Sequence, residues 1–134
     1  MMAKKDTKKG REVYYRHLFF VGALWNWGAS VVFILFYKKI FTLLGMEIPL
    51  YPSIMHLFLV LVVTFGIGYY WVSRDIQKNH DIVRMGIIGK TLVFLLFLFH
   101  SLFGNLHPLF ITVGAGDLIF AVLFIEFLIS SKKR

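Results

Sequence analysis

Apolar residues fill this chain in four blocks, and charge gathers between and beyond them. Residues 17–37 and 53–73 hold no Asp, Glu, Lys or Arg, residues 85–103 hold Lys90 alone, and residues 109–130 hold Asp117 and Glu126. Apolar stretches with so little formal charge, in a chain this short, point to lipid. Each block has close to the twenty or so residues needed to cross a hydrocarbon layer about 30 Å thick. Open sheets cannot cross lipid because their edge amides and carbonyls would lack partners, so the blocks are expected to be helices. Three short connections make sequential helices antiparallel neighbours. The pattern predicts an all-α, integral membrane four-helix bundle running up and down.

The segments between the blocks refine this. Residues 1–16 form a basic head, expected to be mobile near its start, and residues 131–134 a basic tail. The first block is too long for the apolar core of a leader peptide, and Gly28, Ala29 and Ser30 lie inside it, so it is expected to be retained. In residues 38–52, KKIFTLLGMEIPLYP, a short interfacial helix is expected in the first outer loop, stopped by Gly45 and by Pro49 and Pro52. Residues 74–84 read as a charged loop, and GNLHP at 104–108 as a tight turn. Tyr69, Tyr70 and Trp71 are placed as an aromatic belt.

Composition then separates two explanations of the charge. The net charge is +8, which in a soluble domain would suggest nucleic acid. Here 58% of residues are hydrophobic, too many for a small soluble domain, and the basic residues cluster at the block ends. Lys4, Lys5, Lys8, Lys9, Arg11 and Arg16 precede the first block, and Lys132, Lys133 and Arg134 follow the last. Such clusters orient membrane helices and touch anionic headgroups. Both termini are therefore expected on the cytoplasmic side, with lipid and not nucleic acid as the partner. There is no cysteine, hence no disulfide and no thiolate chemistry.

Three charges inside the blocks are the informative residues, since each costs about 2.5–3.5 kcal/mol at a helix centre on insertion scales. Asp117, in GAGDLIF, lies about 14 Å from either edge of the core, too deep for its short side chain to reach water. Gly114 and Ala121 share its face and allow close approach of another helix. Lys90, in MGIIGK, has two outlets: snorkelling back to the nearer interface, or turning inward to an acceptor. Counted from the 104–108 turn, Lys90 and Asp117 are offset by about 6 Å along the axis, within reach of a lysine stem. Asn26, in LWNWGAS, falls at an intermediate level on a stripe with Gly22, Ala29, Ser30 and Phe33. Asn26, Lys90 and Asp117 are the candidate ligand-binding or ion-coupling cluster, and interhelical pairing alone is the plainer role for the same residues.

Other polar residues point to less. Glu126, Arg74, Asp75 and Arg84 are expected to make polar contacts on the cytoplasmic side, Arg74 with Asp81 or Asp75 with Lys78. His56, His100 and His107 fall at one outer level, which permits a metal site or a haem clamped by His56 and His100. No histidine pair has helical ligand spacing, and neither Walker, GxSxG nor HExxH motifs occur, so no catalytic residue is assigned.

The segments FTLLGMEIPLYPS, FGIGYYWVSRD, NHDIVRMGIIGKTLVFL and AGDLIFAVLF resemble those of small bacterial four-helix membrane proteins, DoxX-like in size and layout, over residues 35–130. The resemblance implies a bacterial inner-membrane, multi-pass protein and places its GK and GD elements at Gly89-Lys90 and Gly116-Asp117. It does not fix the chemistry. Three functions remain in view: binding of a small or amphiphilic ligand, or support of a membrane assembly, through the cluster; proton or ion translocation through Asp117; and a redox or metal role for the outer histidines. Homo-oligomerisation or a larger complex is compatible with each, and no cofactor is named.

Overall fold

A computed structural model describes residues 2–132, with side chains from residue 7 onward. Of the basic ends, the side chains of Lys4 and Lys5 and all of Lys133 and Arg134 lie outside the described residues. Four helices account for nearly all of the rest: α1 (Met2–Leu43), α2 (Pro52–Arg74), α3 (His80–Phe103) and α4 (Leu109–Lys132). At 1.5 Å per residue, α2, α3 and α4 are each about 35 Å long, and all four helices are long and apolar enough to cross a membrane. Their outer faces carry Leu24, Val31, Leu61, Leu92, Leu96, Ile119 and Val122, all exposed. An apolar surface this continuous is not that of a soluble monomer and is met by lipid.

α1 differs from expectation at both ends. Its helix runs back through the basic head, whose described side chains are mostly exposed up to Tyr15, which is buried against the ring of Phe127. At the far end the expected short interfacial helix is joined to the first span by a break at Phe36 (φ −121°, ψ 15°). Gly45, at φ +69°, ends it: Met46 N–H donates to Phe41 O and Gly45 N–H to Thr42 O, the pair of bonds that closes a helix on a left-handed glycine. Asn79, at φ 66°, turns the chain into α3, and asparagine tolerates that region better than most residues. α3 therefore starts earlier than the sequence suggests, and Asp81 and Arg84 belong to its first turns.

The helices pair as two hairpins, α1 with α2 and α3 with α4. Facing residues show the direction: Asn26 meets Val62 while Tyr37 meets His56, and Lys90 meets Asp117 while Phe97 meets Phe110. Rising numbers on one helix face falling numbers on the other, so both pairs are antiparallel. The hairpins close on each other at the terminal end of the bundle. There Phe19 stacks on Phe124 at 4.7 Å and Tyr69 meets the same ring at 5.1 Å, in a core with Val72, Val83 and Phe127. α2 approaches α3 closely in this half, where Ile82 lies on Gly68 and Tyr69 on Gly86. Tyr69 is thus core, 1% exposed, and not part of an interfacial belt, whereas Trp71 is exposed as a belt residue would be.

Candidate functional site

The residues that cost most to bury are the ones the bundle brings together. Lys90 does not snorkel. It is 5% exposed, and its Nζ lies 2.8 Å from Asp117 Oδ1 and 3.1 Å from Asn26 Oδ1. The facing stripe makes the approach: Gly114, one turn from Asp117, sits against Phe94, where a Cβ would already be within 3.3 Å. The Asn26 side chain is held in turn, since its Nδ2 donates to Val62 O at 3.1 Å, while Ser30 Oγ donates to the Asn26 backbone carbonyl at 2.8 Å. The ammonium also lies 5.3 Å from the ring centroids of both Tyr69 and Phe120, which favours a cation over their faces.

Trp25 is a member that sequence reasoning passed over. Its Nε1 donates to Asp117 Oδ1 at 3.1 Å, while its ring covers Gly116, where a Cβ would lie 2.6 Å from Trp25 Cζ2. The signal available was Trp25 beside Asn26 on α1 and a glycine beside Asp117 on α4. Two elements of one hairpin supply the charges, and the other hairpin supplies the neutral partners. Trp25→Phe is expected to lower stability by about 1–2 kcal/mol, since a carboxylate loses a donor. The unfolding midpoint in mild detergent measures this, and an unchanged midpoint would show that the contact contributes nothing.

Beside the cluster lies a cavity of about 380 Å³, a volume in the range of small-molecule pockets. Asn26, Lys90 and Asp117 form its polar end, and Phe33, Phe41, Phe97 and Phe110 its far end towards the α3–α4 turn. Phe58 and Leu61 of α2 also line it and are 42% and 54% exposed, too much for an enclosed wall. The cavity therefore borders the surface that lipid covers. It exists because the hairpins meet at the terminal end and part towards the other, between α2 and α3.

The remaining candidates are not gathered here. Asp75 pairs with Lys78 at 3.9 Å and Arg84 with Asp81 at 2.5 Å; the expected Arg74–Asp81 contact is replaced by Arg74 Nη1 donating to Tyr70 Oη. Glu126 is exposed and has no ion pair among the described residues. His56 lies edge-on to Tyr37 with its Nε2 buried and unpartnered, His100 packs on Phe99, and His107 Nδ1 accepts the Leu109 N–H at the start of α4. Among the described residues no three His, Asp or Glu side chains converge as metal ligands, so the proposed triple-histidine site is not formed.

No family model matches the sequence, and no curated protein or solved structure matches the chain. The resemblance to DoxX-like proteins thus gains no support, and what stands is a multi-pass membrane protein of four apolar helices around a buried Lys90–Asp117 pair.

Proposed function

We propose that this protein holds a small amphiphile in the cavity between its hairpins, with the polar end of the ligand at Asn26, Lys90 and Asp117. The observation that carries this reading is the coincidence of the two features: a polar cluster in mid-bundle forms one end of an otherwise apolar cavity that borders lipid. Each is explicable alone, but a pair needed only for neutrality would be better placed in a closed, packed surround. The membrane is read as a bacterial inner membrane with residues 17–130 spanning it. The head, central loop and tail are cytoplasmic, a reading supported by exposed Lys8, Lys9, Arg11, Arg16, Arg74 and Arg84 at the terminal end. Support of a larger membrane assembly would use the same site. Proton or ion translocation through Asp117 has an accessible carboxylate in its favour and an apolar surround against it.

Gly89 offers a clean test, because it lines the cavity and a Cβ there meets nothing within 4 Å. Gly89→Phe should fill the space while leaving the cluster intact, and loss of a helix-interior glycine favours the helix. In nanodiscs, a photoreactive diazirine alkanol is expected to label Phe97 and Phe110 in the parent protein. Most of that label should vanish in Gly89→Phe, while label at lipid-facing Leu96 and Ile119 persists. Labelling confined to Leu96 and Ile119 in both proteins would overturn the reading.

A further inference from the structure

Hydrogen-bond capacity at the polar end of the cavity is unevenly used. Lys90 Nζ and Trp25 Nε1 both donate to Asp117 Oδ1. Oδ2 accepts nothing among the described residues, yet it is not among the buried side-chain atoms without partners, so it is reachable. Asp117 is 17% exposed and lines the cavity. Asn26 has used one N–H on Val62 O and its oxygen on Lys90. The Tyr69 and Phe120 rings flank the ammonium in addition to its two oxygens. Beside one further N–H each on Asn26 and Lys90, the site offers an acceptor: one carboxylate oxygen that can take a hydrogen bond from a group able to accept in turn.

Charge decides what kind of donor suits it. Lys90 and Asp117 together are neutral. An anionic head would add a second negative charge beside Asp117, and a cationic head would leave a net positive charge close to Lys90. Either excess would sit among aromatic and aliphatic side chains, where repulsion is screened least and desolvation is greatest. A hydroxyl brings a donor and no charge, and its bond to a carboxylate is of the stronger, charge-assisted kind.

We infer that the site selects a neutral amphiphile with a hydroxyl head, the hydroxyl donating to Asp117 Oδ2 and the hydrocarbon lying among Phe33, Phe97 and Phe110. This rests on the ligand-holding reading above and narrows it to a chemical class. The route in is lateral: α2 and α3 are close where Ile82 lies on Gly68 and Tyr69 on Gly86, and beyond those contacts Phe58 and Leu61 of α2 line the cavity while remaining exposed.

Three diazirine chains of equal length, ending in hydroxyl, sulfonate and quaternary ammonium, test it on protein in phosphatidylcholine nanodiscs. Label at Phe97 and Phe110, normalised to label at Leu96 and Ile119, should favour the hydroxyl by about tenfold or more, as expected for a charge-assisted bond set against an unpaired charge. Asp117→Asn leaves the cluster positive and should turn the preference towards the sulfonate. The comparison of heads on the parent protein stands without that variant if it fails to fold. Equal cavity labelling by all three, or preference for a charged head, would overturn the hydroxyl assignment and leave ligand binding in place. No cavity labelling by any of them would remove both.

Discussion

Lys90→Met should be among the most damaging single substitutions in the chain, because it strands Asp117 in mid-bundle with only the Trp25 N–H. Breaking a buried ion pair from one side costs about 3–5 kcal/mol, mostly through the charge left behind. Asp117→Asn should cost a similar amount by leaving a 5% exposed ammonium without a counter-charge. The double variant Lys90→Met/Asp117→Asn removes both charges and should lose clearly less than the two singles summed, by about 1–3 kcal/mol. Denaturant titration of the four proteins in mild detergent measures the difference. Losses that simply add would mean that the 2.8 Å contact carries no coupling, and the site would reduce to two independent polar groups.

Gly86→Leu and Gly89→Leu should move stability in opposite directions although they are one turn apart on α3. At Gly86 an ideal Cβ would lie 2.6 Å from Tyr69 Oη and 2.8 Å from its Cε1. Tyr69 cannot yield easily: it is fully buried, touches Phe124, and covers Lys90. Overpacking of this kind costs about 3 kcal/mol or more once a whole side chain is added. At Gly89 the same side chain enters open space and gains about 1 kcal/mol from helix propensity, with further gain from burial in the cavity. Equal losses at the two positions would show that α2 and α3 are not as close at Gly86, nor the cavity as open at Gly89, as described.

The outline of the fold was legible because membrane spans are written in length and charge rather than in fine periodicity. The cost of burying Lys90 and Asp117 singled them out, and the offset counted from the 104–108 turn brought them within reach. Three features were not legible. Tyr69 sits between Tyr70 and Trp71, and the local pattern of an interfacial belt hid that it turns inward. Residues 74–84 carry the pattern of one loop, which favours Arg74 with Asp81; with α3 starting at His80, Asp81 lies one turn from Arg84 instead. The cavity had no local signal at all. It arises from the divergence of two hairpins whose surfaces are apolar throughout, so nothing in the pattern marks where packing stops.

Both charges of the central pair belong to one hairpin, α3–α4, and this bears on how the chain enters the bilayer. The two segments can neutralise each other as soon as they fold back together, before α1 offers Trp25 and Asn26. The counter-charge of Lys90 thus arrives with the very next helix of the chain rather than with a distant one. Trp25 and Asn26 of the first hairpin then complete the hydrogen bonding of a pair whose charges already cancel.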